Sequence, residues 1–259
     1  MISQSSEAKK TGAIYYPMYE MKKFLKESDV IILAIPLINL EAVVSSLPSS
    51  SLHKKLIVDV CPLSEFPKAT LLHHLPKDAD IICSNPMFGP SNSSQKSWDG
   101  QPYVFEKVRI SNNRRSDAFL KVFEKARCQM VQMTSEQQDS HTADAEFVTH
   151  LTGRLLGNGR MLPPTPVTSK EYAALCDVTD LTRGDSFDLF YGMYKYNARA
   201  KDHIAKVREN LAKVERQLAA KEAYIVAREE LRQNDRQRLI SECKQLLKEV
   251  AIDSQEPTK

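Results

Sequence analysis

Glycine is scarce in this chain, and its scarcity excludes one common kind of phosphate site. Only eight of the 259 residues are glycine, and none lies before Gly12. The motif G-x-G-x-x-G, in which a glycine-rich turn lets backbone N–H groups reach a pyrophosphate, does not occur. The sequence therefore offers no glycine loop of the kind that cradles a dinucleotide.

Long apolar runs, paired cysteines and an excess of one charge are also lacking. No apolar run approaches the roughly 20 residues that cross a bilayer, and the first residues lack the apolar stretch of a signal peptide. The 36 basic and 33 acidic residues nearly balance, which argues against nucleic acid as a partner. The cysteines have neither metal-ligand spacing nor the density of a disulfide scaffold, so we expect reduced intracellular thiols and no metal site. They are Cys61, Cys83, Cys128, Cys176 and Cys243.

Strand and helix patterns alternate over residues 1–135. Apolar runs at residues 30–35, 56–60 and 81–83 are typical of central strands that are covered on both faces of a parallel sheet. Shorter patterns predict further strands at 103–105, 107–110 and 130–133, and helices at 39–47 and 116–126. The alternation predicts a doubly wound, Rossmann-like α/β sheet. Since the glycine motif that opens such folds is absent, we expect the first strand, loop and helix to be missing.

Helical patterns replace strands after residue 135. Helices are predicted at 139–157, 170–181 and 185–197, which gives an all-α domain at residues 136–198. Residues 199–259 read as a charged helical extension and tail. A short heptad stripe there ends where Lys221 takes an apolar position, so a helix hairpin or a docked amphipathic helix is favoured over a long coiled coil. The stripe consists of Ile204, Val207, Leu211, Val214 and Leu218.

Four short segments together resemble the plant-type arogenate/prephenate dehydrogenases. They are D-V-C-P at 59–62, N-P-M-F-G-P at 85–90, T-H-L-T-G-R at 149–154 and D-S-F-D-L-F at 185–190. The segments are specific as a set, and the resemblance covers about residues 14–200 of the chain. It implies an NADP-dependent oxidative decarboxylation of arogenate, or of prephenate, in tyrosine biosynthesis. It also implies an N-terminally truncated version of the family's fold, beginning near the end of the second strand.

Two catalytic positions depart from the family's pattern. The family has His where this chain has Asn85, and Ser where it has Pro62. Asparagine has no titratable group, so it cannot hold the proton that a histidine base would take. Proline offers neither a hydroxyl nor a backbone N–H. We expect impaired activity, and Asn85-Pro86 can alternatively be read as a simple turn after a strand.

The substrate-binding positions that the resemblance implies are largely kept. His150 and Arg154 share one helix face because they are four residues apart, and Thr149 lies beside them. Asp185 matches the acidic residue that accompanies arogenate preference, and Thr182 also matches. Purely structural roles stay open for these residues. His150 can be a packing residue, Arg154 a surface or interface charge, and Asp185 a helix N-cap.

The resemblance further implies NADP as the cofactor, with contacts from Ala34, Ile35 and Pro36 after the first strand and from Ser3. A small-molecule substrate, a homodimer through the helical domain and a chloroplast location are implied in the same way. Three functions remain open at this point. The first is an impaired arogenate dehydrogenase, and the second is a non-catalytic relative that acts through interaction or regulation. The third is a ligand-binding module that keeps a tyrosine- or arogenate-shaped cleft through His150, Arg154 and Asp185.

Overall fold

A computed structural model describes residues 8, 10–88, 98–159 and 161–253. The strands are β1 (Val30–Leu33), β2 (Leu56–Asp59), β3 (Asp80–Pro86), β4 (Pro102–Arg109) and β5 (Gln129–Gln132). The helices of the first half are α1 (Met21–Glu27), α2 (Leu40–Ser46), α3 (Glu65–His74) and α4 (Asn113–Lys125). Those of the second half are α5 (Ser135–Thr142), α6 (Val148–Asn158), α7 (Lys170–Gly184), α8 (Phe187–Tyr196) and α9 (Ala198–Asp253). Short 3₁₀ turns lie at Met18–Glu20, Leu37–Asn39 and Ser49–Ser51.

The five strands form one sheet in the order β1-β2-β3-β4-β5. The first three strands are parallel, as are β4 and β5, so the Rossmann-like α/β prediction is confirmed. The exception to the predicted parallel arrangement is β4, which runs antiparallel to β3. The strands predicted at 103–105 and 107–110 are in fact one strand, β4. The connection between β3 and β4 is rich in Ser, Asn and Gly, which form turns more readily than the crossover helix a parallel pair usually needs.

The sheet is buried on both faces because its strands are apolar at consecutive positions. One face carries Ile31, Ile57 and Ile81, which pack with residues of α1, α2 and α3. The other carries Val58 and Ile82, which pack with residues of α4 and β4. Alternate residues of a strand point to opposite faces, so a run such as 56–58 supplies both cores.

After the sheet, α5 and α6 form one continuous helix with a π-helical segment in its middle. The capping box of Thr134 and Gln137 starts α5, and the π segment Ala143–Phe147 joins α5 to α6 without a break. The helix predicted at 139–157 is therefore present but begins four residues earlier. Buried Phe147 stacks on Phe190 of α8, with ring centroids 5.1 Å apart. A π bulge turns the residues that follow it around the helix axis, which sets the direction of the side chains of α6.

The C-terminal helix α9 is continuous from Ala198 to Asp253. Of the two arrangements expected for this segment, the helix hairpin is therefore wrong. The physical reason is that the segment contains no glycine or proline to break the helix. Contacts divide the chain into a unit of residues 1–203 and a unit of residues 204–259. The predicted boundary between residues 135 and 136 stays a prediction. Within the described ranges no helix is apolar over enough length to cross a bilayer.

Candidate functional site

The carboxyl ends of β1, β2 and β3 bring several predicted site residues to one edge of the sheet. Leu33 is the register partner of Asp59, and Asp59 is the partner of Cys83. Ala34, Ile35 and Pro36 follow β1, Pro62 follows β2, and Asn85 lies near the end of β3, so these positions lie side by side. Ligands of open α/β sheets bind at this edge.

Asn85 is a residue of β3 and pairs with Val104 of β4. The reading of Asn85-Pro86 as a turn is therefore wrong, because both residues lie within the strand. Asn85 is buried at 9% exposure. Its side chain can donate or accept a hydrogen bond but cannot titrate, so position 85 offers polarity without a proton acceptor.

The loop after β2 is held by the helical segment. Thr142 Oγ1 of α5 donates to the carbonyl oxygen of Pro62 at 2.9 Å. The carboxylate of Asp139 accepts the backbone N–H groups of Ser64 at 2.6 Å and Glu65 at 3.2 Å, at the start of α3. Burial raises the pKa of Asp139 to about 6, and the two backbone hydrogen bonds oppose that shift. The helix N-terminus at this edge is thus already occupied by an anion, which is the place a phosphate would otherwise use.

Asp59 ends β2 beneath this loop and is completely buried. Its Oδ1 accepts the backbone N–H of Cys61 at 3.2 Å, while Oδ2 has no hydrogen-bond partner among the residues that the structure describes. Burial raises the pKa of Asp59 to about 7. The sheet edge therefore contains a carboxyl group that titrates near neutral pH, although water does not reach it.

His150, Arg154 and Asp185 form a second cluster in the helical segment. Arg154 Nη2 donates to the carbonyl oxygens of Asp185 at 3.0 Å and Ser186 at 3.2 Å, and His150 Nε2 lies 3.6 Å from Asp185 Oδ2. The Arg154 guanidinium lies over the rings of Phe187 at 5.5 Å and Phe190 at 5.1 Å. The structure thus brings three of the predicted substrate residues together at the junction of α7 and α8.

Two polar atoms of this cluster are buried without partners in the described part of the chain. They are Nδ1 of His150 and Nε of Arg154. Burial lowers the pKa of His150, which outweighs the opposing charge of Asp185. His150 is therefore neutral at physiological pH and can act as a hydrogen-bond donor or acceptor. Buried polar atoms without a partner suit a polar ligand.

Asp185 is not the N-cap of α8. Ser186 has that role, since its hydroxyl accepts the backbone N–H of Leu189 at 3.2 Å. Asp185 is instead the residue that follows α7, with its carboxylate 44% exposed and facing His150. The N-cap reading of Asp185 is therefore wrong, and its carboxylate is available to a ligand.

The remaining two predicted substrate residues differ in their surroundings. Thr149 is exposed on α6. Thr182 is buried between α6 and α7, and its hydroxyl donates to the carbonyl oxygen of Val178 within its own helix at 2.9 Å. A Cβ at Gly153 would overlap Thr182 Oγ1, so this threonine marks a close helix crossing. Its predicted contact with substrate stays a prediction.

A cavity of about 390 Å³ lies beside Arg154. Arg154 and Arg183 supply its positive charge, and Phe187 and Phe190 supply aromatic surface. Sequence reasoning missed Arg183, Phe187 and Phe190 as site residues. The spacing of the two phenylalanines, three apart on α8, was a signal for a shared face, whereas nothing in the sequence marked Arg183.

Comparisons with known proteins identify the family to which this chain belongs. The family profile described as "Prephenate dehydrogenase, nucleotide-binding domain" matches residues 2–132, which is half of the chain. The chain belongs to the prephenate dehydrogenase family. A second profile, "TYRAAT1-like, C-terminal domain", matches residues 156–231 of this family member.

Two curated relatives in this family come from Arabidopsis thaliana. Arogenate dehydrogenase 2, chloroplastic, is 40% identical over 69% of this chain and 51% of its own length. Arogenate dehydrogenase 1, chloroplastic, is 37% identical over 78% of this chain and 32% of its own length. The chain thus spans about a third to a half of these relatives.

A solved structure shares the fold of this family member. Prephenate dehydrogenase from A. aeolicus, in complex with hydroxyphenyl propionate and NAD+, superposes with a TM-score of 0.64 at 15% identity. The match covers 98% of this chain and 86% of that one. Ser3, a predicted cofactor contact, lies outside the described residues. No cluster of acidic, His and Cys side chains that could hold a metal occurs within the described ranges.

Proposed function

We propose that this chain binds arogenate, and prephenate less tightly, beside Arg154, and that it has little dehydrogenase activity of its own. The observation that carries the proposal is the Arg154 guanidinium, set over two phenylalanine rings at a cavity of about 390 Å³. A guanidinium over aromatic rings suits a small ring that carries a carboxylate. The ligand of the A. aeolicus enzyme, hydroxyphenyl propionate, is of this type.

The preference for arogenate over prephenate rests on Asp185. Its carboxylate faces His150 at 3.6 Å and is partly exposed. Arogenate has an ammonium group where prephenate has a keto oxygen, so the carboxylate attracts the first ligand and repels electron density on the second. His150, neutral because burial lowers its pKa, adds a hydrogen bond without competing for the carboxylate as a cation.

The proposal of weak catalysis follows from the residues at the carboxyl ends of the strands. The family profile marks residues 2–132 as nucleotide-binding, and we propose NADP as the nucleotide, with contacts from Ala34, Ile35 and Pro36. Asn85 cannot take the substrate proton, and the loss of this general base lowers the rate of hydride transfer.

The location of this chain in the cell is proposed from its relatives. Both Arabidopsis enzymes are named chloroplastic, and we infer the same location for this chain. A homodimer through residues 136–198 is proposed from the resemblance alone. An interaction or regulatory role is the second candidate function, and one observation favours it: large apolar side chains along α9 are exposed.

Isothermal titration calorimetry with arogenate and prephenate tests ligand binding. We expect arogenate to bind more tightly than prephenate, and the variants Arg154→Gln and Arg183→Gln each to weaken arogenate binding by about tenfold or more, because each removes a charged hydrogen-bond donor. Arg236→Gln, on the exposed surface of α9, is the matched control. Arg183 is exposed, so its variant reports on binding even if Arg154→Gln loosens the α7–α8 junction. Heat of binding unchanged in both variants would refute the proposed site.

NADPH absorbance tests catalysis separately. With arogenate and NADP we expect turnover at background, since loss of a general base alone costs about 10²–10⁴-fold. Arogenate dehydrogenase 2 from Arabidopsis is the positive control in the same assay. Rapid NADPH formation by this chain would overturn the claim of weak catalysis, whereas it would leave arogenate binding intact.

A further inference from the structure

A second cavity, of about 470 Å³, lies between the end of α6 and α7. Its volume is within the range of roughly 300–1,000 Å³ that small-molecule sites have. It shares Gly157 and Arg183 with the cavity beside Arg154, but its other walls are different. These walls are formed by Gly159, by residues 161–164 and by Cys176, Thr179 and Asp180 of α7. A ligand in this cavity would therefore meet a different set of side chains from a ligand beside Arg154.

Contacts with α7 hold the wall that residues 161–164 form. The hydroxyl of Tyr172 donates to the carbonyl oxygen of Leu162 at 3.1 Å and accepts the backbone N–H of Leu162 at 3.0 Å. Thr179 Oγ1 lies 3.3 Å from Met161 Sδ. Because the wall is held in place before a ligand arrives, less conformational entropy is lost when a ligand binds.

The cavity is apolar at its base and charged at its rim. Cys176 is 7% exposed and Thr179 is 3% exposed, and Met161 is half-buried against Thr179. A thiol and a thioether both behave as apolar, polarizable surface. Asp180 and Arg183, in contrast, are exposed. A ligand that fits this arrangement has an apolar part and a charged end.

The two charges at the rim are opposite in sign and are not paired. Asp180 and Arg183 are three residues apart on α7, so their side chains lie on one face of the helix. Neither side chain makes a hydrogen bond or an ion pair with another residue in the described part of the chain. Two free charges of opposite sign complement a ligand that carries both an ammonium and a carboxylate.

Gly157 restrains the side chain of Arg183. A Cβ at Gly157 would lie 2.8 Å from Arg183 Cδ and 3.3 Å from Arg183 Cγ. The aliphatic part of Arg183 therefore packs on the backbone of Gly157, at a distance that only glycine permits. This contact orders a long side chain in advance, which lowers the entropy lost when its guanidinium binds an anion.

We propose that this cavity binds a free α-amino acid with an apolar side chain. The carboxylate of the ligand pairs with Arg183, its ammonium pairs with Asp180, and its side chain contacts Met161 and Cys176. A dicarboxylate or a phosphate would be repelled by Asp180, and a simple amine would leave Arg183 without a partner. The proposal does not depend on arogenate binding beside Arg154, because Asp180, Met161 and Cys176 do not line that cavity.

Isothermal titration calorimetry of the full chain with L-leucine and L-methionine tests the site. We expect a Kd of about 1 mM or below for at least one of them. Two analogues of leucine test which charges are recognised, since 4-methylpentanoate lacks the ammonium and 3-methylbutylamine lacks the carboxylate. Each should bind at least about threefold more weakly than L-leucine. No binding of either amino acid up to about 10 mM, or equal affinity for L-leucine and both analogues, would refute the proposal.

Two variants assign the charges of the ligand to the two rim residues. Asp180→Asn should weaken L-leucine binding by about threefold to tenfold and leave 4-methylpentanoate unchanged, because only L-leucine has an ammonium. Arg183→Gln should weaken both ligands by a similar factor, because both carry the carboxylate. Asp177→Asn, also on the exposed surface of α7, is the matched control and should bind as wild type. Equal weakening of both ligands by Asp180→Asn would show that Asp180 does not meet the ammonium.

Arogenate binding to the same variant separates this cavity from the one beside Arg154. Asp180 lines only the larger cavity, so Asp180→Asn should keep the wild-type affinity for arogenate while it loses affinity for L-leucine. If Asp180→Asn weakened both ligands by the same factor, the amino acid and arogenate would share one site, and the proposal of a second site would be wrong. Absence of arogenate binding in the wild type would refute the site beside Arg154 and would leave the L-leucine measurements unaffected.

Discussion

Replacing Gly153 with alanine is expected to lower the free energy of unfolding by about 1–3 kcal/mol, although alanine is the better helix former. A Cβ at this position would overlap Thr182 Oγ1 and would lie 3.1 Å from both Thr182 Cβ and the carbonyl oxygen of Val178. The last contact is with backbone, which cannot rotate away, so α6 and α7 must separate. Urea unfolding followed by circular dichroism measures the effect.

Gly184 provides the control for this change. A Cβ there would meet nothing within 4 Å, so Gly184→Ala should leave stability nearly unchanged. Adding Thr182→Ala to Gly153→Ala should recover part of the loss, because it removes the overlapping hydroxyl. A stable Gly153→Ala variant would mean that the two helices do not approach as described. Thr182→Ala alone also separates the roles of this residue, since a packing residue can be changed without loss of arogenate binding.

The sheet was largely predictable because each strand has a recognisable local sequence pattern. A strand buried on both faces must be apolar at consecutive positions, as at residues 56–58, and no surface helix needs that pattern. The direction of β4 was not predictable in this way. Whether a strand runs parallel or antiparallel depends on the connection before it, and the alternation of Tyr103 to Phe105 is the same in either direction.

Two features of the helical segment could not be predicted from short stretches of sequence. The stripe on α9 and its end at Lys221 were visible, but the choice between a hairpin and one helix depended on the absence of a breaker over the whole segment. The cavity was invisible for a different reason. Arg183 reaches it from the last turn of α7 and Phe187 from the first turn of α8, so their proximity depends on how two helices meet.

The sequence predicted some residues of the candidate site, but it did not reveal their burial or their hydrogen-bond partners. Spacing placed His150 and Arg154 on one face, which the shared partner Asp185 supports. The sequence could not reveal that Ser186 caps α8 and leaves the Asp185 carboxylate available. Capping depends on the backbone angles at a helix start, and Asp and Ser are equally good caps by composition.

Stability is expected to fall as the pH rises from about 4 to about 7, and Asp59 is the main cause. Burial raises the pKa of Asp59 to about 7 in the folded chain, whereas the unfolded chain keeps the ordinary value near 3.9. Between these values the folded state binds more protons than the unfolded state, so unfolding becomes easier as protons are removed. Asp139, with its pKa raised to about 6, adds to the same trend over a narrower range.

Asp59→Asn should remove most of this dependence. At about pH 8 the variant should be more stable than wild type by up to about 4 kcal/mol, since it never has to bury a carboxylate, and the difference should vanish near pH 4. The amide oxygen can still accept the backbone N–H of Cys61, so the local turn is kept. Asp177→Asn, on the exposed surface of α7, is the control and should follow the wild-type pH profile. If Asp59→Asn were destabilising at pH 8, the carboxylate must have a partner that stabilises its charge, and the loop above β2 would then be built around an ionised group.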